Sequence, residues 1–193
     1  MDRRSACLGL LTLPLMPHRA WSTDANADAL ALLRRGGVVL VLRHARAPGT
    51  FDPPGFRLGD CSTQRNLSEE GRAQARQLGT YLKSQQLQPS RVRSSPWCRC
   101  IDTAELAFGS AERWSALGSP QGGSEAANAQ ALTDLRQAVV DAAKRPGQFE
   151  VWVTHMFVQA ALVSGDTASG EGLILGPDAK GQPAILGTFA TAG

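Results

Sequence analysis

The chain has 193 residues, 42% hydrophobic, 19% charged and 6% aromatic; this suits one domain with its own core and excludes a disordered or fibrous chain. Its formal charge is +3, but Arg3, Arg4 and Arg19 set against Asp2 carry +2 of that. A body left at +1 is not that of a nucleic-acid binder.

Residues 1–22 read as an export signal. Met1 to Arg4 is a short basic start, and Ala6 to Met16 is an apolar run interrupted by Gly9, Thr12 and Pro14. That run falls short of the roughly 20 residues a membrane helix needs. Ala20-Trp21-Ser22 offers a small-x-small cleavage pattern, with Ala25-Asn26-Ala27 as a second choice. Cys7 precedes the apolar run, which argues against a lipoprotein anchor. The competing reading is a buried N-terminal helix of a cytosolic protein. The expectation is a signal over 1–22 and a single domain over 23–193, periplasmic or secreted and without stable membrane insertion.

Ala27 to Arg35 has helical spacing and stops at Gly36-Gly37. Val38 to Leu42 is a continuous branched apolar run, the pattern of a strand buried on both faces. Residues 45–66 form a long Pro/Gly/Asp-rich loop. Ser68 with Glu69 and Glu70 opens a helix through Leu82. A short strand ends at Ser94-Ser95, and Pro96 is expected as the first-turn proline of a helix to about Phe108. Residues 109–124 read as a second loop, and Glu125 to Lys144 as a helix. Phe149 to Thr154 is a second clear strand and Phe157 to Val163 a helix. Leu173–Leu175 and Ala184–Leu186 are expected as edge strands. The alternation predicts a three-layer α/β/α sandwich around a largely parallel sheet, with ligands collecting at the carboxyl ends of its strands.

Three strand ends carry unusual residues: Arg43-His44, then Arg99 shortly after Ser95, then Thr154-His155. The remaining histidine, His18, belongs to the leader. Guanidinium forks grip phosphoryl oxygens, one imidazole can attack phosphorus, and a second can stabilise the charge that develops. Such a set needs no metal and no cofactor. Of the four cysteines, Cys7 leaves with the leader; an oxidising compartment would then let Cys61 pair with Cys98 or Cys100, which point to different faces of one helix. A zinc site is the weaker reading, because Cys-Arg-Cys lacks the spacing.

Four segments carry a family resemblance. They are Leu42-Arg43-His44-Ala45, the run Asn66 to Ala75 (NLSEEGRAQA), Ser94-Ser95-Pro96-Trp97-Cys98-Arg99 with Thr103-Ala104, and Val153-Thr154-His155. In this order, and over about residues 37–165, they resemble the histidine phosphatase superfamily, which has the phosphoglycerate-mutase-like fold. The resemblance implies that His44 is the nucleophile and becomes phosphorylated, while Arg43, Arg99 and His155 hold the phosphoryl oxygens. Ala45 stands where the family usually has glycine, as in its small phosphohistidine-phosphatase branch. Met156 follows His155 where the phytase branch has Asp, which disfavours a phytase. For the general acid, Asp60, Glu112 and Glu125 are candidates, and Asp102 is expected to pair with an arginine. Arg46, Arg57 and Arg65 add positive charge to the first loop.

The function expected is an exported, metal-independent phosphatase acting on a small-molecule or lipid- or sugar-linked phosphomonoester through a phosphohistidine. The alternatives are a non-catalytic phosphate- or polyanion-binding module and a phosphohistidine protein phosphatase.

Overall fold

The computed structural model describes residues 21–120 and 123–190. The export signal expected over 1–22 therefore lies, but for its last two residues, outside the described residues. No helix among the described residues is long and apolar enough to cross a membrane.

The elements run α1 (Trp21–Arg35), β1 (Val38–Arg43), α2 (Glu69–Ser84), β2 (Arg91–Ser94), α3 (Cys98–Phe108), β3 (Glu112–Arg113), α4 (Glu125–Ala143), β4 (Phe149–Thr154), α5 (Met156–Val163), β5 (Gly172–Pro177) and β6 (Pro183–Phe189). The strands form one sheet in the order β3-β2-β4-β1-β5-β6. The first four strands in that order are mutually parallel, β5 is antiparallel to β1, and β6 is antiparallel to β5.

Side-chain alternation divides the core in two. Val38, Leu40 and Leu42 of β1 join Leu33 of α1, Leu78 and Leu82 of α2, and Ala104 of α3 on one face. Val39 and Val41 join Leu135 and Val139 of α4 and Leu162 of α5 on the other. The expected three layers result, with α1, α2 and α3 on one side and α4 and α5 opposite.

Two helix ends show local chemistry. Ser68 Oγ accepts from Gly71 N at 3.2 Å, and Glu69 and Glu70 complement the positive end of α2. After α1 the chain turns at Gly36 with φ +70, where a Cβ would sit 2.3 Å from Gln148 N; a glycine is the residue that fits both constraints.

Four expectations need correction. Helix α1 begins at Trp21, ahead of Ala27. Pro96 lies outside α3, whose N-cap is Trp97. The segment 109–124 contains β3 and a 3-10 turn, Ser115–Leu117; a two-residue strand is too short to show a period. Strand β5 is not an edge, being bonded to β1 on one side and β6 on the other.

Candidate active site

Parallel pairing builds the site. Arg43 of β1 is in register with Thr154 of β4, and Ser94 of β2 with Val153. Two further bonds extend the ladder past the strand ends, His44 N to Thr154 O and Ser95 N to Val153 O, each 2.9 Å. His44 and His155 thereby meet with ring centroids 5.5 Å apart, edge to face. Both rings are buried. Arg99 comes from the first turn of α3, so the three strand ends singled out in the sequence converge.

Each imidazole is held in one tautomer by its partners. His44 Nδ1 lies 2.8 Å from Ala45 O, and a carbonyl can only accept, so Nδ1 carries the proton and Nε2 keeps its lone pair. Burial pushes His44 down to about 3, and the Arg99, Arg65 and Arg43 guanidinium groups act in the same direction against the Ala45 hydrogen bond. It is neutral at pH 7. Arg99 Nη2 donates to His155 Nδ1 at 3.3 Å, so the His155 proton sits on Nε2, which donates to Ser95 Oγ at 2.9 Å. Burial, then Arg99, holds His155 well below the usual histidine range.

Around the rings lie guanidinium groups. Arg43 Nη1 donates to Thr167 O at 2.9 Å. Arg65 Nη1 donates to Ala47 O and Gly49 O at 2.6 and 2.7 Å. The Nε atoms of Arg43, Arg65 and Arg99 are buried without a hydrogen-bond partner among the described residues. Buried unpartnered donors are costly, and three at one pocket suit an anion rich in oxygen acceptors.

The carboxylate at this pocket is Asp52, which the sequence did not single out. It accepts from Arg99 Nη1 (2.9 Å to Oδ1, 3.2 Å to Oδ2), Trp97 Nε1 (3.1 Å) and Arg65 N (2.9 Å). The three sequence candidates lie off the pocket, and two of them have other partners. Asp60 accepts from Ser62 N in the 3-10 turn Cys61–Thr63 and pairs with Arg57. Glu112 pairs with Arg91, and Glu125 is exposed in the first turn of α4. Asp102 pairs with Arg72 at 3.2 Å. Of the other first-loop arginines, Arg57 turns to Asp60, and Arg46 is exposed, with its backbone N bonded to Gln74.

Besides the Asp52–Arg99 pair, the first loop is fastened to α3 at Cys98 in two ways. Gln64 Oε1 accepts from Cys98 N at 3.0 Å, supplying the helix cap that Trp97 does not. Cys61 forms a disulfide with Cys98, and Cys100 stays a buried free thiol, pushed up to about 12 by burial. The cavity itself holds about 90 Å³ and is lined by Arg43, His44, Arg65, Arg99 and His155, with Phe51, Asp52, Ser119 and Phe157 among its other walls.

Two histidines and three guanidinium groups gathered beside the strand ends of a mostly parallel α/β sheet make a cationic pocket whose chemistry suits an oxyanion. Residues 39–117, which include His44 and Arg99, match the family model described as histidine phosphatase superfamily (branch 1). The protein histidine phosphatase SixA, solved with tungstate, aligns with a TM-score of 0.54 at 20% identity, over 79% of this chain and 96% of that one. Alpha-ribazole phosphatase from Shigella flexneri aligns at 0.57 and 13%, over the same shares of the two chains, 79% and 96%. A phosphoserine phosphatase mutant from Entamoeba histolytica, in complex with phosphoserine, aligns at 0.54 and 12%, again over 79% and 96%. No curated protein matches the sequence. Over residues 39–117 the chain is similar to the histidine phosphatase superfamily, and over most of its length it shares the fold of these solved phosphatases.

Proposed function

We propose that the protein is a phosphatase that hydrolyses a phosphomonoester of a small molecule through a phosphohistidine on His44, without a metal. The observation that carries this is the fixed tautomer of His44: Nδ1–H is committed to Ala45 O, and Nε2 is left as a neutral nucleophile beside three arginines.

In the first step the Nε2 lone pair attacks phosphorus, the N–P bond forms and the P–O ester bond breaks in line. Arg43, Arg65 and Arg99 hold the equatorial oxygens and take up the developing charge. The released alcohol oxygen takes its proton from water. In the second step water attacks phosphorus, the P–N bond breaks, Nε2 recovers its lone pair, and the water proton leaves to solvent. His155, expected from the sequence to hold a phosphoryl oxygen, has both nitrogens committed, Nδ1 accepting from Arg99 and Nε2–H donating to Ser95, so in this reading it positions Arg99 instead.

Asp52 is not the general acid in this reading. All its hydrogen bonds are acceptances from N–H donors, so its role is to hold Arg99 in place. Esters of good leaving groups should therefore be preferred. Export to an oxidising compartment accompanies this proposal, since the Cys61–Cys98 bond would persist there.

The test is to trap the intermediate. Protein mixed with substrate and quenched in alkali should carry a phosphoryl group that is stable to base and released by mild acid. His44→Ala should carry none. A phosphoryl group that persists in that variant would contradict the assignment.

A further inference from the structure

Resting on the phosphatase reading, we propose that the leaving group is an uncharged apolar alcohol seated between Phe51 and Phe157, not a sugar, a nucleoside or a second phosphate.

The cavity sets the frame. Its space of about 90 Å³ is about three times a water's share of the liquid. A phosphoryl group fits, and the body of an ester does not. The rest of the substrate must lie across the lip.

The lip has a chemistry unlike the floor. The floor is cationic; the lip is Gly49, Thr50, Phe51, Ser119, Met156 and Phe157, without a titratable side chain among them. Among the described residues five large apolar side chains are exposed, and two of these, Phe51 at 62% and Phe157 at 36%, stand at this one pocket. Exposed apolar side chains clustered at a cleft mark a contact surface. Sugar hydroxyls would meet two hydroxyls, Thr50 and Ser119, and a second phosphate would find no cation among these six residues. An apolar group would lose water against both rings.

Each phenylalanine is also fixed beside a site residue. Phe51 precedes Asp52, which is pinned by Arg99 and Trp97. Phe157 follows Met156 in the first turn of α5, whose N-cap is His155. The backbone that carries each ring is therefore held beside the phosphoryl site, and a leaving group seated on the rings would lie next to the point of attack.

The test uses unhydrolysable phosphonates and titration calorimetry on the protein as produced. Phenylpropylphosphonate is compared with hydroxypropylphosphonate and with inorganic phosphate. The expected result is binding of the phenyl compound about 30-fold or more tighter than the hydroxyl compound, with about tenfold lost in each of Phe51→Ser and Phe157→Ser. Inorganic phosphate should bind all three proteins alike. Equal affinities for the two phosphonates would overturn the proposal. So would variants that lose phosphate affinity by the same factor, because the rings would then act on the fold. Tight phenylpropylphosphonate binding without turnover of any ester would sustain this subsite while removing the phosphatase reading.

Discussion

The carboxylate of Asp52 grips Nη1 of Arg99 with both oxygens, at 2.9 and 3.2 Å, although 47 residues separate the two in the chain. With Nη1 taken by Asp52 and Nη2 by His155, the guanidinium plane has one orientation, and its buried Nε faces no protein acceptor among the described residues. The orientation of Arg99 is thus set by a loop and a histidine together.

Removing that grip should cost both binding and catalysis. Asp52→Ala is expected to lower kcat/KM by about 100-fold and to weaken inhibition by inorganic phosphate, because a bidentate buried pair is lost and Arg99 is freed. Asp52→Asn, which keeps one acceptor oxygen, should recover part of the loss. If both variants matched the wild type in phosphate inhibition, Asp52 would not be positioning Arg99.

The histidines fix a pH dependence. His44 titrates at about 3 in the folded chain, against 6.5 for an ordinary histidine, because burial and the arginines oppose its charge. The unfolded chain therefore binds a proton that the folded chain refuses. This contribution is fully present above pH 6.5 and is lost as pH falls from 6.5 towards 3. At pH 4.5 the loss from His44 is about 2–3 kcal/mol. Urea unfolding between pH 7 and 4 should show that decline, shallower in His44→Ala. Followed directly by NMR, the His44 ring should show no titration midpoint near 6.5; a midpoint there would mean that His44 is solvated.

Thiol counting tests the loop clamp. Protein of residues 23–193, unfolded without reductant, should expose one thiol per chain, that of Cys100; three would contradict the Cys61–Cys98 bond. In the native state Cys100 should resist alkylation, since it is buried and little ionised. Reduction of a bond spanning 37 residues should lower stability by about 3–4 kcal/mol. It should also lower activity, since the loop it fastens carries Asp52 and Arg65.

Packing constrains the start of α2 as well. A Cβ on Gly71 would lie 2.0 Å from Arg46 O, where the chain leaving β1 crosses the helix. Gly71→Ala should destabilise by more than about 2 kcal/mol and shift His44, read as a fall in thermal midpoint together with activity. An unchanged midpoint would show that the crossing is looser than described.

What the sequence made legible was local. Arg43, His44, Arg99 and His155 each follow a strand or open a helix, and apolar runs such as Val38 to Leu42 identify those strands without tertiary information. Asp52 was not legible, because its partners come from α3 and nothing in the loop's composition separates it from Asp60. Arg65 could be read as loop charge, but its place in the pocket depends on how the loop folds back. The choice between Cys98 and Cys100 waited on α3: one turns to the loop, and the other is buried beside His155.

The most direct test is hydrolysis of p-nitrophenyl phosphate by residues 23–193 in the presence of EDTA, beside His44→Ala. The expected result is clear turnover in the first protein and none in the second, with phosphate still bound by both. Turnover that survives in His44→Ala, or that EDTA abolishes, would contradict a metal-independent phosphohistidine on His44.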